Sequence, residues 1–111
     1  MKRGDVRWYL FESPDKRRPV LILTRHSAIS FLTNITVAPI TSNVRDIPTE
    51  VFLTPEDDGV LTECAVNLDN IQTVRQDHMG ALITTLSTSR VREVEQALCF
   101  ALGIDLSLIH I

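Results

Sequence analysis

Apolar and polar positions change places at short intervals along this chain, and the period of the change divides it into a series of strands with one helix near the end. The densest apolar stretch is Arg18-Pro19-Val20-Leu21-Ile22-Leu23-Thr24. Too short for a typical helix and rich in β-branched residues, it predicts a central strand buried on both faces. Pro19 has no N–H for a ladder, so it is expected at the strand's first position, with Arg18 at the mouth of the sheet. Ahead of it, Arg7-Trp8-Tyr9-Leu10-Phe11 predicts a first strand beginning near Asp5, opened by a bend at Gly4 and joined to the central strand by a polar loop containing Pro14.

After the central strand, residues 26–32 carry apolar side chains at helix-like spacing and predict a short helical turn. Residues 34–40 form a third strand ending near Pro39, followed by the polar tip Thr41-Ser42-Asn43 and a loop over 44–48. Residues 49–53 alternate as a half-buried strand, and 54–59 make an acidic turn. The run 64–71 reads as one strand, with Val66, Leu68 and Asn70 on one face and Asn67, Asp69 and Ile71 on the other. A short strand is expected over 81–86. Then Val91, Val94, Leu98, Ala101 and Leu102 recur at three- and four-residue steps, a helix capped by Ser87 or Ser89 and stopped by Gly103.

Short strands, tight polar connections and one terminal helix predict an α+β fold: a small, curved antiparallel sheet or partly open barrel closed on one side by that helix. The 111-residue length suits a single domain over 1–106, leaving 107–111 as an apolar tail beyond the helix stop. The chain is 44% hydrophobic and 23% charged, ordinary for a globular protein. No apolar run would span a bilayer, and the basic N-terminus lacks the apolar core of a signal peptide, so a cytoplasmic protein with no membrane partner is expected. Cys64 and Cys99 stand far apart with no ligand-spaced neighbours, which predicts neither disulfide nor metal site, and no cofactor motif is present.

Charge changes the picture more than composition does. Residues 1–45 carry eight Lys or Arg against three acids, whereas 46–111 carry three against eleven. A positive face on a chain of net charge −3 is compatible with an anionic partner, although a solvated charge bias without a partner is the commoner case. Arg18 is either a placed cation or the end of the exposed run Lys16-Arg17-Arg18. Thr41 taken alone is a strand-end threonine, Asp69 a turn or ladder carboxylate, and Asp5 an exposed strand-start carboxylate. His26, His78 and His110 show no spacing that suggests a paired-histidine mechanism.

Five motifs in one order add a resemblance. Lys2-Arg3-Gly4-Asp5-Val6, Arg18-Pro19-Val20-Leu21-Ile22, Thr36-Val37-Ala38-Pro39-Ile40-Thr41-Ser42, Asp69-Asn70-Ile71-Gln72-Thr73-Val74 and Val94-Glu95-Gln96-Ala97-Leu98 resemble the MazF/PemK toxins, above all their mycobacterial-type members. The resemblance implies an SH3-like β-barrel of the CcdB/PemK type, assembled as a homodimer. It also implies a metal-independent endoribonuclease that cleaves single-stranded RNA at short sequences and is silenced by a cognate MazE-like antitoxin. Carried over, Arg18 matches the catalytic arginine, Thr41 the catalytic threonine or serine, and Asp69 an acid that the Kid and PemK branch uses in catalysis. Asp5 and Asn43 match positions lining the same groove. Asn67 and Gln72 depart from the family, standing where Kid-like or many other members have an arginine.

Metal-free RNA cleavage turns the 2′-hydroxyl on the adjacent phosphorus, and requires proton transfer and stabilisation of developing negative charge. A guanidinium suits the last task, and Asp69 is the better candidate for the base. Base reading is expected from Ser42, Asn43 and Asn70, with Asn67 and Gln72 also in the groove. Arg7, Lys16, Arg17, Arg25 and Arg45 are available for phosphates, and most aromatics are expected in the core. An alternative on the same scaffold is a non-catalytic, CcdB-like module that binds a protein such as DNA gyrase.

Overall fold

A computed structural model describes residues 1–11 and 17–105. The expected tail over 107–111 lies outside the described residues. Among the described residues seven strands occur in chain order: β1 (Asp5–Leu10), β2 (Arg17–Ile22), β3 (Asn34–Thr41), β4 (Glu50–Leu53), β5 (Cys64–Asn67), β6 (Gln72–Arg75) and β7 (Met79–Thr85). Two one-turn helices, α1 (His26–Ile29) and α2 (Pro55–Asp58), interrupt them, and α3 (Thr88–Leu102) follows. The strands form one curled antiparallel sheet in the order β4-β5-β3-β2-β1-β7, with β6 added to β3. The result is the expected half-open barrel with a C-terminal helix.

The central run behaves as its composition demands. Val20, Leu21 and Ile22 are each no more than 1% exposed. Strand alternation sends Leu21 into a core with Val6, Ala38, Leu53 and Val66 beneath Val94 and Ala97 of α3. Val20 and Ile22 enter a second core on the opposite face, with Tyr9, Ile35, Val37 and Ile29 of α1. Pro19 is the third residue of β2 rather than its first, opposite Trp8 of β1. Pairing with β3 begins only at Val20, opposite Pro39, so the absent N–H interrupts no bond on that side.

Two other boundaries differ from expectation. The run 64–71 does not continue as a strand: β5 ends at Asn67, Leu68–Asn70 form a 3-10 turn, and β6 starts at Gln72. The Asn67 side chain accepts a 2.9 Å hydrogen bond from the Asp69 N–H and so caps the turn. The acidic stretch folds as α2, because Thr54 caps it and Gly59 closes it at φ 74°. Helix α3 is bounded as its sequence predicts, with Ser87 accepting from the Arg90 N–H and Gly103 at φ 72°.

The start of the chain is tied into the sheet. Gly4, at φ 96°, donates to the Ile22 carbonyl and accepts from the Leu86 N–H, tying the chain start to β2 and to the end of β7. A Cβ there would stand 3.0 Å from Val91 of α3.

Candidate functional site

A cleft of about 510 Å³ opens where β3 changes partner. Through Pro39, β3 pairs with β2; from Ile40 on it pairs with β5, Ile40 opposite Val66 and Thr41 opposite Ala65. Two residues further along the Val20–Pro39 register, Arg18 stands level with Thr41, but the strands have parted. The separation leaves a space walled by both residues. Ser42, Asn67 and Asn70 complete its polar side, and Trp8, Pro19, Pro39 and Leu61 its apolar side. Arg18, Thr41, Ser42, Asn67 and Asn70 are therefore brought together as the sequence suggested.

Arg18 is exposed and has no ion-pair or hydrogen-bond partner among the described residues. An unneutralised guanidinium in a concave wall is an anion ligand in waiting. The Thr41 Oγ1 accepts the Asn43 N–H at 3.0 Å, which leaves its hydroxyl proton available to a second acceptor. Asn70 has no recorded side-chain partner among the described residues, so its amide is open to the cleft it lines. Cys64 also lines the cleft, but burial, assisted by the Asp58 carboxylate, pushes its thiol pKa up. It is a neutral wall residue rather than a nucleophile.

Other expected site residues do not converge there. Asp69 does not line the cleft: its carboxylate accepts the Thr49 hydroxyl, while the Leu68 N–H donates to the Thr49 carbonyl at 2.9 Å. Asp69 thus anchors the turn between Asn67 and Asn70. Asp5 is only 4% exposed and accepts from the Thr85 hydroxyl at 2.8 Å and the Lys2 N–H at 3.1 Å. Its carboxylate secures β1 to β7, which corrects the reading as a solvent-exposed acid, and it does not line the cleft. Arg25 precedes α1, and Gln72 pairs with Val37 in β6; neither contributes to the cleft wall.

Arg45 is engaged with Glu50 at 2.7 Å and Arg7 with the Gly80 carbonyl at 2.8 Å, and neither lines the cleft. Asn43 contributes its main-chain N–H to Thr41 and is not part of the wall. Lys16 and His110 lie outside the described residues. Among the described residues no three His, Cys, Asp or Glu side chains gather as a metal set, and no helix is long and apolar enough to cross a membrane.

The sequence reading missed Trp8. Rather than joining the core, it lines the cleft half-buried, with the Arg17 guanidinium 4.4 Å from its ring centroid. Alternation places Trp8 and Val6 on one strand face, but which face would open required the partner change of β3.

Comparison with known proteins agrees with this fold. Residues 2–102 match the family model described as PemK-like, MazF-like toxin of type II toxin-antitoxin system. Endoribonuclease MazF3 of Mycobacterium tuberculosis is 42% identical over 93 residues, covering 82% of this chain and 87% of that protein. The Mycobacterium tuberculosis toxin MazF-mt6 superposes with a TM-score of 0.81 at 37% identity, covering 91% of this chain and 98% of the other. An endoribonuclease in complex with its cognate antitoxin, from a mycobacterial species, superposes with a TM-score of 0.82 at 28% identity, covering 95% and 97%. With its half-barrel, its terminal helix and a match running through nearly all of its length, the chain belongs to the PemK-like, MazF-like toxins of type II toxin-antitoxin systems.

Proposed function

We propose that this protein is a toxin endoribonuclease that cuts single-stranded RNA without a metal, Arg18 and Thr41 acting on the scissile phosphate. The observation that carries the reading is the meeting, in one cleft, of a guanidinium with no partner among the described residues and a half-engaged hydroxyl. The 2′-oxygen of the upstream ribose attacks phosphorus, the bond from phosphorus to the 5′-oxygen breaks, and a cyclic phosphate and a 5′-hydroxyl result. The proton lost from the 2′-hydroxyl is balanced by one taken up by the departing oxygen.

Arg18 stabilises charge on the nonbridging oxygens, and Thr41 donates its hydroxyl proton to one of them. Ser42, Asn67 and Asn70 are placed to recognise bases, their amides and hydroxyl offering both donors and acceptors. Cognate RNA would lie in the cytoplasm, a MazE-like antitoxin would cover the cleft, and the toxin would act as a homodimer, as the family resemblance implies. The naming of relatives as endoribonucleases favours this reading over a gyrase-binding module.

The test is incubation of the purified protein with RNA in EDTA. Wild type is expected to produce discrete cuts, and Arg18→Ala to lower turnover by roughly 10²- to 10³-fold with its thermal unfolding unchanged. Intact RNA with wild type, or undiminished cutting by Arg18→Ala, overturns the proposal.

A further inference from the structure

We infer that Trp8, with Arg17 laid over its indole, is a stacking platform for one unpaired nucleobase beside the phosphate held by Arg18, an inference that rests on the nuclease reading of the cleft. Trp8 is the chain's single tryptophan. It sits half-buried in the cleft wall, although its neighbour Tyr9 is buried in the second core. Its cross-strand partner is Pro19, next in sequence to Arg18. Adjacent strands about 4.8 Å apart and a rise of about 3.4 Å per residue bring the two main-chain positions within one nucleotide of each other.

The electrostatics fit the same ligand. Arg17 lies 4.4 Å from the ring centroid, inside the range of a cation–π contact, and has no carboxylate partner among the described residues. Its charge remains available to a phosphate flanking the stacked base. A nucleotide joins a flat base to a charged backbone; the wall offers an indole, proline rings and the Arg18 guanidinium, with the Arg17 guanidinium over the indole. Such a surface holds any base by its face and leaves identity to the polar side of the cleft.

The experiment uses single-stranded deoxyhexamers, whose backbone lacks the 2′-hydroxyl needed for cleavage, at fixed salt. Binding to wild type is expected to change the fluorescence of Trp8, the single tryptophan, and a series with one abasic position moved along the hexamer should reveal one position whose loss weakens binding about 5- to 100-fold. Measured by anisotropy of a labelled hexamer, Trp8→Ala should bind more weakly and respond equally to intact and abasic probes, while Trp8→Phe retains the discrimination. Thermal unfolding identifies any variant that fails to fold, and Trp8→Phe together with the wild-type abasic series then decides the question.

No change in wild-type fluorescence, a flat abasic series, or an unaltered series in folded Trp8→Ala overturns the platform. The last result would leave the Arg17–Trp8 contact as a clasp between β1 and β2. RNA cleavage is assayed in parallel: cutting with a flat abasic series rejects the platform alone, whereas no cutting rejects the nuclease reading while the hexamer titration still decides the platform.

Discussion

The main-chain N–H of Asn43 donates to the Thr41 hydroxyl oxygen at 3.0 Å, so the hydroxyl proton at the end of β3 is directed by a bond that needs no Asn43 side chain. Asn43→Ala is therefore expected to preserve turnover. Asn43→Pro deletes the donor and should lower kcat about as much as Thr41→Val, with KM nearly unchanged. Single-turnover cleavage compares the three.

Asp69 is expected to act on the cleft through position rather than proton transfer. Asp69→Ala leaves the Thr49 hydroxyl, on a residue only 9% exposed, without its acceptor and should reduce stability by about 1–3 kcal/mol. Asp69→Asn keeps an acceptor and should hold kcat to within a few-fold, well short of the roughly 10²-fold loss that removal of a general base brings. Thr49→Val should imitate Asp69→Ala in urea denaturation and raise KM, because Asn67 and Asn70 flank the loosened turn.

Among the described residues the titratable side chains of the cleft wall are Arg18 and Cys64. His26→Gln and His78→Gln should consequently leave the pH profile of kcat/KM in place, with no bell between pH 6 and 8 that either substitution abolishes. A lost limb in either variant would assign a proton transfer to that histidine.

Asp58 and Arg90 hold the start of α3 to the turn that precedes the cleft's apolar rim. The Arg90 Nε lies 2.9 Å from Asp58, whose side chain is 2% exposed and also accepts the Thr54 N–H at 2.9 Å. That hydrogen bond raises the Arg90 pKa further, with Glu93 contributing. Asp58→Ala should lower stability by about 2–4 kcal/mol, since it leaves a partly buried cation with Glu93 alone and frees a helix-turn N–H. Combined with Arg90→Ala, the loss should fall short of the sum, which denaturant titration of the three variants measures.

Asp77, which does not line the cleft, supplies a pH test. Its hydrogen bond with Arg75, at 2.7 Å to Nη2, holds its carboxyl below the ordinary carboxylate range. A depressed folded pKa means that the stabilisation is present above the unfolded value and disappears as pH falls through the folded one. The pair is open to solvent, so salt should weaken it. Carboxyl NMR titration is expected to show the depression, and Arg75→Gln to remove it.

The sequence is most legible where a local pattern is sufficient. Val20, Leu21 and Ile22 read as buried on both faces because a run without polar breaks has no solvent side, and the α3 stripe ends at Gly103 because that residue adopts positive φ. Arg18 and Thr41 could be named together through motif order. Their meeting follows physically from the β2–β3 register, which composition does not specify.

Long-range partners were hidden. Asp5 looks like a surface acid until Thr85, eighty positions later, is placed beside it. Motif order gives no sign that the Asp69 carboxylate accepts the Thr49 hydroxyl, twenty positions away. The strand expected through Ile71 stops because the Asn67 side chain competes locally for the Asp69 N–H, an outcome that alternation alone does not predict.

The cleft takes Trp8 from β1, Arg18 from β2, Thr41 from β3, Asn67 from β5 and Ile83 from β7, and β1 is held on one side by β7. A polypeptide still emerging from the ribosome therefore carries the arginine long before it owns the wall that makes the arginine useful. Delayed assembly of this kind withholds the complete wall until β7 has been synthesised and paired with β1.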